Sequence, residues 1–149
     1  MRPRIAFVDH FYGKHIGGGE EYLLLAATGI RDRGFIPVVI CLPDSALAHE
    51  ARSRGLDVVE VPFFLPNLPA APGRLAAAFE ELNAHVVNAH GYWSTLAARS
   101  ALRRVPRTPM VATVHTEVLP QSERGVRRLV RAVRNTIERA TSSGIRYVA

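Results

Sequence analysis

The chain has 149 residues, 48% of them apolar, which is one domain's worth with enough hydrophobic content for a real core. No apolar stretch approaches the roughly 18–20 residues needed to span a bilayer, and Met1-Arg2-Pro3-Arg4 leads into a strand-like run, so no secretory leader is expected. Cys41, the single cysteine, excludes an internal disulfide, and a net charge of +6 favours anionic partners such as phosphates, nucleic acid or acidic lipid headgroups without choosing among them.

In chain order, residues 4–9 form a short buried strand. Glu20 to Arg33 carries apolar residues at helical spacing (Tyr22, Leu23, Leu25, Ala26, Ile30) and is stopped by Gly34, so a helix is predicted there. Residues 35–42 form a second strand, with Pro37 near its start where a missing N–H is tolerable. Asp44 and Ser45 are helix-start residues, and a helix follows from Ala46 to Arg54 before Gly55. Asp57 to Pro62 is a third strand. The aromatic, proline-broken stretch 63–69 is a loop, and Pro72 suits the first turn of a helix running to about Asn83. Residues 85–90 are strand four, Ser94 to Arg104 a helix, and 109–115 strand five. A long basic helix is predicted over 122–140, and residues 145–148 begin a sixth strand.

Strands alternating with helices, and apolar on both faces, predict an α/β domain with a doubly wound parallel sheet of Rossmann-like type. Because the chain stops within an apparent sixth strand, it is expected to be a piece of something longer.

Ligands of such sheets bind beyond the carboxyl ends of the strands. Three strand ends deliver polar groups to that edge: Asp9 and His10; His90, Gly91 and Tyr92; and His115, Thr116 and Glu117. The triplet Gly17-Gly18-Gly19 opens a helix, where unpaired N–H groups and a positive dipole end can receive a diphosphate. A tight turn, or a close approach of helix and strand, explains such a triplet equally well. Its spacing is neither G-x-G-x-x-G nor that of a P-loop. No His/Cys/Asp cluster has metal-ligand spacing. His85, at a strand entry, belongs to the opposite edge and reads as structural.

The Gly-Gly-Gly-Glu helix start with Arg33-Gly34-Phe35 before the second strand, the segment 85–91, and the segment 109–116 together resemble the opening of family 4 glycosyltransferases. The resemblance implies the amino-terminal, acceptor-side domain of a two-domain GT-B enzyme. Such an enzyme is retaining and metal-independent, uses no cofactor, and moves a sugar from a nucleotide-sugar donor to a glycan or glycolipid acceptor. By matched position, Gly17, Gly18 and Gly19 inherit the donor diphosphate role and His115 the catalytic, sugar-facing one. His90, Tyr92 and Thr116 line the acceptor and sugar side. The resemblance also places the donor-binding acids in a carboxyl-terminal domain beyond this chain, so residues 1–149 alone are expected to be inactive and to bind nucleotide-sugar poorly.

Ten arginines between Arg99 and Arg139 face only Glu117, Glu123 and Glu138. The helix over 122–140 could rest its basic faces on an anionic membrane, or simply pack its apolar stripe on the sheet. The expected location is cytoplasmic, with a peripheral contact at the inner face of the membrane as one option. Nucleic acid is not expected as a partner, since no recognised binding signature appears. The alternative function is a non-catalytic α/β module that binds a phosphorylated ligand or polyanion.

Overall fold

The computed structural model describes residues 2–63 and 69–114 and the backbone of the strand at 146–148. The elements are β1 (Arg4–Val8), α1 (Gly18–Arg31), β2 (Ile36–Cys41), α2 (Ala46–Ser53), β3 (Asp57–Glu60), α3 (Ala71–Glu81), β4 (Val86–His90), α4 (Gly91–Leu102), β5 (Met110–Thr113) and β6 (Arg146–Val148). They form one six-stranded sheet in the order β3-β2-β1-β4-β5-β6, with every neighbouring pair parallel. This is the doubly wound Rossmann-like arrangement that the alternation of elements predicts.

β1 lies at the centre, with Ala6 opposite Val38 on one side and Val87 on the other. Side chains alternate across a strand, so a central strand needs apolar residues in both phases. Phe7, Val39 and Cys41 pack with Leu23, Leu24 and Ala27 of α1 and Leu47, Ala48 and Ala51 of α2. Ala6, Val8, Ile40, Val87 and Ala89 point the other way, onto Leu75 and Phe79 of α3 and Ala97, Ala98 and Ala101 of α4. The alanines of α3 and α4 let those two helices lie close together over one face.

Helix ends follow local chemistry. Ser45 caps α2, its Oγ accepting the Ala48 N–H at 3.2 Å. Gly34 and Gly55 take φ of +88° and +68° after α1 and α2, a left-handed stop that glycine adopts without strain. Arg54, at the end of α2, clasps Glu21 of α1 through Nη1 and Nη2 at 3.0 and 2.7 Å and also reaches Glu50. At the sheet's amino edge, the Arg4 N–H donates to His85 Nδ1 at 3.2 Å, which gives His85 the structural place expected of it.

Two helix starts differ from the sequence expectation. α1 begins at Gly18 rather than Glu20, so two of the three glycines are helical. α4 begins at Gly91 rather than Ser94, directly from the strand. Glycine's low helix propensity argues against helix at both places, but propensity yields to tertiary placement. β5 ends at Thr113. His115, Thr116, the aromatic-loop residues 64–68 and the basic segment 122–140 lie outside the described residues.

Phe79 is buried in the α3/α4 face, whereas Leu25 on α1 is 59% exposed. Phe79→Ala is expected to lower unfolding free energy by about 3–5 kcal/mol through lost burial and a residual cavity. Leu25→Ala should change it by less than about 0.5 kcal/mol. Urea denaturation of the two variants beside the parent checks the contrast.

Candidate functional site

The strand order turns about β1: β2 and β3 lie to one side, β4 to β6 to the other. Helices leaving β1 and β4 therefore depart to opposite faces, and a crevice opens beyond their carboxyl ends. Asp9 and His10 form one lip of it. His90 and Gly91 form the other.

The two lips are tied together. Ser94, in the first turn of α4, accepts the backbone N–H of His10 at 3.0 Å, and its Oγ lies 3.1 Å from His10 Nδ1. The direction of the second bond follows the imidazole tautomer. This clasp joins residues 84 positions apart. It requires α4 to start without a loop, and Gly91 permits that with a φ of +74° at the strand-to-helix corner.

Asp9 is only 6% exposed, and its own N–H continues the ladder to the Ile40 carbonyl at 3.0 Å. Burial pushes its carboxyl pKa up to about 7, with Glu20's nearby charge adding to the rise. Backbone N–H groups of Phe11 and His10 act against it. Burial also holds His10 below the usual imidazole value, opposed by the charge of Glu20. Near neutral pH Asp9 is therefore only partly ionised, unlike an ordinary carboxylate.

The glycine loop stands beside it. Gly17 is the N-cap of α1 in extended conformation, and Gly18 and Gly19 occupy the first turn. Glu20 folds back so that its Oε2 accepts the Gly17 N–H at 2.9 Å. Gly18 is the informative residue. Its φ lies outside the left-handed region, and among the described residues no atom beyond its chain neighbours and its own helix backbone comes within 4 Å of where a Cβ would sit. Neither backbone conformation nor a neighbouring strand calls for glycine there. Gly17 and Gly18 lie exposed at the positive end of a 14-residue helix.

His90 is fully buried, with its ring centroid 6.0 Å from Phe7 and 6.2 Å from Tyr22. Tyr22 is itself half exposed, so its ring lies between His90 and the surface on that side. Tyr92 is half-buried and meets Trp93 edge-on at 5.1 Å. The structure thus brings the glycines, Asp9, His10 and the strand-four end to one edge of the sheet. The sequence reading takes Ser94 only as a helix start: nothing local marks it for a partner in the loop after β1.

Among the described residues no helix is long and apolar enough to cross a membrane. The sequence pattern of Glycosyltransferase Family 4 matches residues 16–148. Comparison with curated protein sequences gives no match. Among solved structures, the chain superposes on MurG of Acinetobacter baumannii with a TM-score of 0.68 at 10% identity, covering 99% of this chain and 41% of that one. HepE of Anabaena in complex with UDP gives 0.67 at 20% identity, covering 97% and 37%. Sucrose-phosphate synthase of Thermosynechococcus elongatus gives 0.61 at 12% identity, covering 99% and 47%. The chain spans less than half the length of each. At these identities the likeness is one of fold.

The buried Asp9 gives a pH test. Its folded pKa is about 7 against an ordinary 3.8, so between those values the folded state keeps a proton that the unfolded state has released. Stability from this group is full below about pH 4 and falls as pH rises through 7. Asp9→Asn is expected to remove a decline of a few kcal/mol between pH 4 and 8. Denaturant midpoints of parent and variant across that range check it, and equal slopes would contradict it.

Proposed function

The chain belongs to glycosyltransferase family 4, and from that premise we propose that it supplies the acceptor-side half of a retaining, metal-independent transferase that moves a sugar from a nucleotide-sugar donor to a glycan or glycolipid. In this reading the bond between the anomeric carbon and the diphosphate oxygen breaks, a bond from that carbon to an acceptor hydroxyl oxygen forms, the hydroxyl proton passes to the departing diphosphate, and negative charge collects on the nucleoside diphosphate as it leaves. First-turn amides of α1 and the dipole behind them meet that charge. Gly17, Gly18 and Gly19 form the near wall of the donor cleft. A carboxyl-terminal domain supplies the remaining donor contacts. His115 faces the transferred sugar with Thr116 beside it, and Tyr92, with His90 behind it, borders the acceptor.

The observation that carries the reading is the open backbone at Gly18, a glycine that the fold itself does not require. UDP bound to HepE, a protein of similar fold, supports a nucleotide diphosphate as the anion that fits there. The raised pKa of Asp9 beneath the crevice supports it too, since near neutrality that carboxyl is only partly ionised and sets less than a full negative charge against an arriving phosphate. The reading places the protein in the cytoplasm, where nucleotide sugars are supplied, with the membrane's inner face as the place of a lipid-linked acceptor.

Gly18→Ala separates fold from function. Alanine is the better helix former by about 1 kcal/mol, so the variant is expected to be at least as stable as the parent. Its methyl group stands where the diphosphate would approach, and UDP affinity in the full-length protein should fall at least about tenfold, some 1.4 kcal/mol. Calorimetric titration with UDP reads the affinity, and an unchanged Kd would overturn the donor role of the loop. His115→Ala in the same protein should cut turnover severely with the melting temperature kept. Retained turnover would remove His115 from the reaction.

A further inference from the structure

A second concavity lies on the other flank of β1. The loop after β1 and the loop between β2 and α2 enclose an open cleft of ≈ 440 Å³, within the roughly 300–1,000 Å³ typical of small-molecule sites. We infer that this cleft is a sugar subsite, holding a neutral pyranose ring of the acceptor away from the reacting hydroxyl. The inference rests on the transferase reading and names what its acceptor side grips.

The cleft is shaped by its sequence. Phe11 turns inward onto the α1/α2 core, and Tyr12 turns outward with 70% of its surface exposed. Gly13 lets the loop fold back over Phe11, because a Cβ at this position would collide with the Phe11 ring. Leu42 and Pro43 complete an apolar floor.

The rim is polar and mixed in sign. Asp44 sits at φ +52°, a left-handed conformation that aspartate tolerates better than most residues. There its Oδ1 lies 2.8 Å from His49 Nε2, and its N–H reaches Glu60 Oε1 at 3.4 Å. Arg52 holds that glutamate at 2.9 Å. The Asp44–His49 pair is thus a positioned acceptor and imidazole on one wall, with the Lys14 ammonium on the facing loop.

A pyranose matches this set. Its C–H face suits an aromatic ring, and its hydroxyls both donate and accept, as carboxylate, imidazole and ammonium together demand. A phosphate would gain Lys14 but face the Asp44 carboxylate. The mixed rim favours the neutral ring.

Saturation-transfer NMR on the full-length protein tests this, with methyl glucoside, galactoside and mannoside as probes and inorganic phosphate as competitor. At least one glycoside is expected to receive saturation, and Tyr12→Ala and Asp44→Asn should each weaken that binding at least about fivefold. Both residues lie at the surface, and thermal melts confirm that the variants fold. A signal that survives both substitutions, or no glycoside signal at all, overturns the subsite. Displacement of the glycoside by phosphate overturns its neutral character. UDP titration of the same samples reports on the donor cleft and not on the Tyr12 cleft, so failure there leaves the glycoside result readable on its own.

Discussion

A strand in a parallel sheet cannot be followed by a tight hairpin. The chain must travel back to the starting edge, and here it does so through helices that cover both faces. That constraint arranges everything else in the molecule. It forces the central strands to be apolar in both phases, as Ala6, Phe7 and Val8 show. It also sends every strand-to-helix connection to the same edge. Residues far apart in sequence meet there because backbone direction leaves them no other place. The candidate site follows from sheet topology before any side chain is considered.

What the side chains add is control of charge. Asp9 and His10 sit where water is largely excluded, and burial drives both toward their neutral forms. Glu21 has its carboxylate engaged by Arg54, and Glu20 spends part of its charge on the Gly17 amide. What remains directed outward is the amide end of α1. A site for an anion gains as much from quieting nearby negative groups as from presenting positive ones. The glycines suit the proposed diphosphate role in the same way, since Gly17 and Gly18 lie exposed at that end.

The fold was legible because its determinants are local and repeated. Two-phase apolar strands, amphipathic helices and glycine stops each announce themselves within a dozen residues. Boundaries were less legible where glycine begins a helix. Propensity places Gly18 and Gly91 outside, whereas an exposed first turn and a left-handed corner make use of them. The site was half legible. Polar residues at strand ends mark the crevice, but the Ser94–His10 clasp depends on the rotation of a helix against a distant strand. His90 shows the opposite limit: a polar residue at a strand end reads as ligand-facing, while packing beneath Phe7 and Tyr22 is set by three dimensions. The cleft beside Tyr12 gave no sequence signal, since a loop tyrosine, an aspartate and a histidine mean little until their backbones meet.

The two connections that border the crevice are unequal. β4 runs straight into α4 through Gly91, and Ser94 pins that corner from within. Residues 9–17, between β1 and α1, form a true loop that contributes to both the crevice and the Tyr12 cleft. Insertions or exchanges at the first border would break a buried strand-to-helix junction, whereas the second can lengthen and change composition at modest entropic cost. The protein therefore has one cast edge and one that can be recut. Of these two borders, residues 9–17 are the one free to diverge, while the frame that fixes its position stays the same.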